Sequence, residues 1–380
     1  MLSSLTGGSS SAAAAQRENA AQSKENENYG DTSTFSPESI QKSSEYRQAG
    51  DSVVLRYVQN LQEFYELFEE VMPSGTRGSH VKAVIYARRK SDHKKVIIKL
   101  RNKNSSFKDL NEMREWILSM KYLYLLSGGT KQEERETQYA KGQLQQIANM
   151  VDILEDANNY YACMEHVEGR DLFDFFLQEK IYARSYRLQF VQQLCKSLLI
   201  ALDEFQQKGL VHKDLKLENI VFDETKQRQT GESLVCVPKF IDFDTIEIWV
   251  PGRKQFHVLG TDQYIAPETY AGYPCPASDM WAMGVICYTM LTGCFPFHQG
   301  LFNDRPGENF VDHVAMQQIR RRMRIARIDW SNRAWVLDSR ARDFVRRCFI
   351  CDATRRLSLE EAQNHPWIRD DPIPQIDNSS

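Results

Sequence analysis

The apolar residues of this chain change their spacing once, near Gly169, and that change limits the fold more than any other feature. Before it, they fall in short runs split by Gly, Pro and charged turns. Ala83-Val84-Ile85-Tyr86-Ala87 and Lys95-Val96-Ile97-Ile98-Lys99 read as two strands joined by a turn over Arg89–Lys94. Ile153-Leu154 and Tyr160–Met164 give two more. Between these pairs, residues 108–126 take helical spacing, with Leu110, Met113, Ile117 and Met120 on one side. The polar stretch from Ser127 to Gln146 reads as a surface insertion. After Gly169, amphipathic stretches around 185–208, 279–293, 311–325 and 339–350 predict helices. The expected chain is α+β, a small β-rich part followed by a larger helical one, with no internal repeat. Residues 1–50 are rich in Ser, Ala, Gln, Glu and Asn and hold almost no bulky apolar side chains. Such a segment cannot bury enough surface to offset its ordering entropy, so disorder is expected there.

With 42% apolar and 26% charged residues, the 380-residue chain has the balance of a soluble globular protein. A net charge of −3 gives no reason to expect nucleic acid or an anionic membrane as partner. Arg320-Arg321-Arg322 lies among Met316, Ile319, Met323 and Ile325 and reads as a solvated helix face. Of eight cysteines, Cys163, Cys287 and Cys294 sit among apolar neighbours, as buried reduced thiols do. Cys348 and Cys351 form a CxxC with no second pair, which favours helix packing over zinc or redox chemistry. The start MLSS carries no signal-peptide pattern and no glycine for myristoylation, and no apolar run is long enough to cross a bilayer. A soluble, cytoplasmic monomer is the expectation.

Chemistry concentrates in Val211-His212-Lys213-Asp214-Leu215-Lys216-Leu217-Glu218-Asn219. An Asp and an Asn five apart on a loop face one point, the Asp toward a hydroxyl and the Asn toward a divalent metal. Lys216 places an ammonium on a phosphoryl group in flight. Oxygen donors beside a lysine suit Mg²⁺-assisted phosphoryl transfer, which needs positioning and charge neutralisation.

This loop resembles that of the protein kinase family, H-R-D-L-K-x-x-N. Its companions follow in the family's order. They are Asp242-Phe243-Asp244, Gly260-Thr261 through Ala266-Pro267-Glu268, Asp279-Met280-Trp281-Ala282-Met283-Gly284, Arg356 and His365-Pro366-Trp367-Ile368. Tyr65-Glu66-Leu67, Glu168-Gly169-Arg170-Asp171-Leu172-Phe173-Asp174 and the terminal His-Pro-Trp-Ile are most similar to the calcium/calmodulin-dependent and calcium-dependent kinases. No D-x-D-x-D-G loop follows, so direct calcium sensing is not supported.

The resemblance implies a bilobal kinase domain over residues 54–368, with an N-lobe at 54–164, a hinge at 165–169 and a C-lobe at 170–368. A short tail, 369–380, follows. It implies a serine/threonine kinase that moves the γ-phosphate of ATP, with Mg²⁺, onto protein substrates. Lys99 would hold the α- and β-phosphates, and Glu115, or else Glu112, would orient it from the next helix, with Leu118 and Tyr122 inward. Asp214 would take the substrate hydroxyl proton, Lys216 would stabilise the phosphoryl group, and Asn219 with Asp242 would hold Mg²⁺. Val84 and Met164 would wall the adenine, with Glu165 and Val167 offering hinge backbone. Asp171 would meet the ribose or a basic substrate residue, and with Glu218 it favours basic substrates. Glu268 and Arg356 would brace the activation segment, and His212 would be a structural hydrogen-bonding residue.

Three departures stand out. The Gly-rich loop is longer than usual, its glycines are Gly75 and Gly78, and Ser79 and Lys82 take two glycine positions, with Lys82 or His80 left to help cover ATP. Asp244 replaces the glycine of D-F-G, where Asp tolerates left-handed backbone better than most residues. Lys213 replaces an Arg that would grip a phosphothreonine with two prongs. The loop Ile246–Leu259 contains no Ser, Thr or Tyr, which predicts activation without phosphorylation of that loop. The alternative reading is a pseudokinase, a nucleotide-binding or scaffold module on the same fold.

Overall fold

A computed structural model describes residues 37–72, 82–128, 146–178, 184–222, 238–305 and 307–370. The small lobe is a six-stranded sheet in the order β1-β5-β6-β4-β3-β2. Its strands are β1 (Arg56–Tyr57), β2 (Tyr65–Met72), β3 (Lys82–Arg89), β4 (Lys95–Asn102), β5 (Met150–Glu155) and β6 (Asn159–Glu165). β1 pairs with β5 in parallel and the other pairs are antiparallel. Alternation along β4 turns Val96 and Ile98 (1% and 0% exposed) into the sheet's own core with Tyr65 and Cys163. The same two-residue period puts Lys99 on the opposite face.

Helix α2 (Leu110–Leu126) follows β4, started by Asp109, whose carboxylate accepts from the Glu112 amide at 2.8 Å. Trp116, Met120 and Leu123 are buried, and so are Leu118 and Tyr122, as expected. Leu110, expected on the apolar side, is the first residue of the helix and is 65% exposed.

The large lobe holds α3 (Leu172–Gln178), α4 (Arg184–Gln207), α5 (Pro276–Thr292), α6 (Val314–Ile325), α7 (Ala334–Leu337), α8 (Ser339–Cys348), α9 (Leu359–Gln363) and α10 (Pro366–Arg369). Short ribbons lie between α4 and α5: β7 (Leu210–Val211) with β10 (Glu247–Ile248), and β8 (Ile220–Phe222) with β9 (Pro238–Phe240). These ribbons hold the loops that carry the chemistry. The α+β, two-lobed arrangement is the one the sequence predicts.

Two expectations are corrected. Disorder was expected through residue 50, yet Pro37–Ser52 is a helix, α1; residues 1–36 lie outside the described part. Its own sequence is polar, so what orders it is docking: Ser43 and Gly50 are buried, and Tyr46 packs on Tyr122 at 5.6 Å. Tertiary contact supplies what a polar helix lacks in isolation. The arginine run is likewise not a uniformly solvated face, since Arg320 is 3% exposed and Arg322 donates to the Leu301 carbonyl at 3.2 Å. The proposed insertion falls almost wholly on residues 129–145, outside the described part.

Candidate active site

Five of the predicted side chains meet in the cleft between the lobes. Lys99 reaches from β4 to an ion pair with Asp242, and Asp244 stands 3.9 Å away. Burial works against the Lys99 charge, but Asp244 and Asp242 together hold its ammonium above the usual lysine range. The Asp214 carboxylate lies 3.1 Å from Lys216, and Asn219 donates to the Asp214 carbonyl at 2.9 Å. With its nitrogen so engaged, Asn219 has its amide oxygen left for a cation, and Asp242 has its second carboxylate oxygen. Hard oxygen donors are the set that Mg²⁺ takes. The residues therefore fit the expected cation.

Backbone geometry fixes these positions. Asp242 (φ 61°) and Lys213 (φ 66°) are left-handed, a conformation few non-glycine residues adopt. The left-handed residue of the metal motif is thus its first, not Asp244, so a glycine's latitude is not needed at position 244. The Asp279 carboxylate accepts from the amides of His212 and Lys213 at 2.9 and 3.0 Å, tying the loop to α5. The His212 side chain is wholly buried against Phe205, Phe240 and Phe243, and burial holds it below the usual histidine range. Its ring nitrogens find no partner among the described residues, so its ring packs rather than hydrogen-bonds as expected.

Glu115 does not orient Lys99. Its carboxylate takes two hydrogen bonds from Arg47 of α1, at 2.7 and 2.9 Å, and lies 2.9 Å from Arg253. Burial opposes its charge, but Arg47 and Arg253 pull its carboxyl down to about 2. The alternative, Glu112, caps the start of α2 through the Lys108 amide at 2.7 Å and lies 3.8 Å from Arg101. The reason is helix phase: Trp116 turns into the small-lobe core, and a step of about 100° carries Glu115 off that side. Asp244 takes the place of the helix carboxylate beside Lys99.

At the hinge, Met164 is 4% exposed and lies opposite Ile97 of β4, while Val84 lies opposite Lys99. The Glu165 carboxylate pairs with Lys239, and its amide donates to the Asn149 carbonyl at 2.9 Å. Among the described residues the Val167 amide finds no partner, which leaves it for a ligand edge. Asp171 accepts from the Asp174 amide at 2.8 Å and caps α3, a role in the scaffold. Gly75, Gly78, Ser79 and His80 lie outside the described residues. Glu268 and Arg356 form the expected pair, with bonds of 2.6 and 2.7 Å and both side chains fully buried.

Three residues escaped the sequence reading. The Thr261 hydroxyl donates to Asp214 at 2.8 Å and accepts from Lys216 at 2.9 Å, joining the two side chains. Arg101, 4% exposed, stacks over Trp116 and lies 3.3 Å from Asp244. Glu247 accepts from Lys213 at 2.6 Å and also binds Arg253 and Gln255. Only Thr261 carried a signal, its place before Ala-Pro-Glu.

A two-lobed fold with a lysine from the small lobe and Asp, Lys, Asn and Asp from the large lobe around one cleft defines the protein kinase class of fold. A family model, the protein kinase domain, matches residues 77–368, and the chain belongs to that family. It is 30% identical over 262 residues to death-associated protein kinase dapk-1 of Caenorhabditis elegans, covering 67% of this chain and 16% of that one. It is 30% identical over 235 residues to calcium-dependent protein kinase SK5 of Glycine max, covering 60% and 41%. With calcium-dependent protein kinase 3 of Plasmodium yoelii yoelii it shares 25% over 333 residues, 86% and 52% of the two chains. The kinase domain is similar to those of death-associated and calcium-dependent protein kinases, and the chain spans about half or less of the length of these relatives.

Proposed function

We propose that the chain is an active serine/threonine kinase that transfers the γ-phosphate of ATP to protein hydroxyls. The observation that carries this reading is the convergence of Lys99, Asp214, Lys216, Asn219 and Asp242 in one cleft. Asp214 is set to accept the substrate hydroxyl proton, and Lys216, 3.1 Å away, brings positive charge to the same point. Lys99 neutralises phosphate charge, and Asn219 with Asp242 would hold Mg²⁺, which shields the charge that develops on the phosphates. Substrates with basic residues are favoured by Glu218, one of whose carboxylate oxygens is buried with no hydrogen-bond partner among the described residues. Such an oxygen gains most from a cation.

One observation favours the scaffold reading: among the described residues no helix carboxylate orients Lys99, and Asp242 is engaged by it. A phosphorylation assay with Mg-ATP and a basic peptide library separates the two. Asp214→Asn should lose several orders of magnitude, because transfer rests on positioning and charge stabilisation. Equal trace signals from the wild type and the variant would leave the scaffold reading standing.

A further inference from the structure

Five charged side chains run in one line from α1 to the catalytic loop. Arg47 holds Glu115 by two bonds of 2.7 and 2.9 Å, and Glu115 lies 2.9 Å from Arg253. Arg253 pairs with Glu247, which accepts from Lys213 at 2.6 Å. Lys213 precedes Asp214. Glu115, Arg253, Glu247 and Lys213 line one cavity of about 290 Å³ between α2 and the loop after Asp242. Lys213 and Glu247 are 6% and 11% exposed, so each charge depends on its neighbour for compensation.

Helix α1 touches both lobes. Tyr46 packs on Tyr122 of α2, and its hydroxyl donates to the Gln207 carbonyl, the last residue of α4, at 3.2 Å. The left-handed Gly209 that follows has no room for a side chain, since a Cβ would come within 2.4 Å of the Tyr46 ring. Yet α1 precedes the residues 77–368 that match the kinase family.

We propose that α1 is part of the catalytic machinery: Arg47 is a positioning residue that acts through Glu115, Arg253 and Glu247 to hold Lys213 and the Asp214 loop in place. Glu247 is the internal anion of this arrangement, bound by Lys213, Arg253 and Gln255 at once. A loop without hydroxyl side chains over residues 246–259 has no phosphate to provide there, and a fixed carboxylate needs none. The inference concerns the same site as the kinase reading and rests on it for its kinetic consequences.

The test uses the full chain with Arg47→Met, Glu247→Gln, their double variant and Arg47→Lys. Two readouts are taken: kcat with KM for ATP on a basic peptide, and amide hydrogen exchange of residues 246–256 against α5. Each of the first two variants should lower kcat about tenfold with little change in KM for ATP. The double variant should fall little beyond the worse single one, since both break one line, and Arg47→Lys should recover part of the loss. Exchange over 246–256 should rise while α5 stays protected. The proposal fails if Arg47→Met leaves kcat and exchange as in wild type, or if the two losses multiply. Loss of protection in α5 as well would make Arg47 a fold-stability residue and would also overturn it. If the wild type transfers no phosphate, the kinase reading falls, and the exchange pattern alone decides the link.

Discussion

Asp244 Oδ2 stands 3.3 Å from Arg101 Nη2, and this pair replaces a glycine of the family motif with a half-buried charge partnership. Lys99 and Arg101, 8% and 4% exposed, leave the same strand on the same face and would repel without it. Asp244→Gly therefore moves the motif toward the family pattern but away from stability. Among the described residues, Arg101 would keep only Glu112, at 3.8 Å, and its aromatic contacts. The expected cost is about 1–2 kcal/mol by urea unfolding, with lower kcat. A variant as stable and as fast as the wild type, or faster, would refute this role.

Glu268 and Arg356 are fully buried, and Ser278 adds a 2.7 Å bond to the same carboxylate. Removing either partner strands the other charge, so Glu268→Ala or Arg356→Ala should cost about 3–5 kcal/mol. Arg356→Lys should recover little, because a single ammonium cannot reproduce two parallel bonds. Denaturant midpoints of the three variants check both statements.

Gly260 has φ 116°, and a Cβ there would lie 2.7 Å from the Lys213 carbonyl oxygen. Gly260→Ala must shift either the catalytic loop or Thr261, whose hydroxyl joins Asp214 and Lys216. We expect kcat to fall by about 10–100-fold with stability lowered by about 1 kcal/mol or more. Thr261→Ser, which keeps the hydroxyl, should lose far less than Thr261→Val. Equal rates for those two variants would show that the hydroxyl is idle.

The folded carboxyl of Glu115 titrates at about 2, below its ordinary 4.5. Its ionised form is favoured in the folded state, so this contribution is full above about pH 5. It falls away as the pH drops from 4.5 toward 2, because the unfolded chain then binds the extra proton. The destabilisation by Glu115→Gln should therefore be constant from pH 7 to 5 and shrink below that. Unfolding both proteins at a series of pH values measures it, and a difference that grows in acid would contradict the assignment.

Much of the site is legible in the sequence because its chemistry is packed into short, ordered strings. Asp214, Lys216 and Asn219 share one loop whose spacing alone brings them together. Lys99 at its strand end, and Glu268 with Arg356, follow from the family resemblance of the motif series. Glu115 shows where such reading stops. The motif order points to Glu115 as the partner of Lys99, but the phase of α2 turns it away, and Arg47 and Arg253, 68 and 138 positions away in sequence, take its carboxylate. Helix α1 is a similar case, since its polar composition reads as disorder and only its docking surface makes it a helix.

By itself, then, the sequence determined the two-lobed layout, the strand and helix periods and the set of polar side chains that meet in the cleft. These depend on local spacing and on chemistry carried by single side chains. Tertiary structure alone decided which charges pair. In a partly buried site each ion is settled by the nearest opposite charge rather than by its place in a motif. That is why Asp244 stands beside Lys99 and Arg101, and Glu247 beside Lys213.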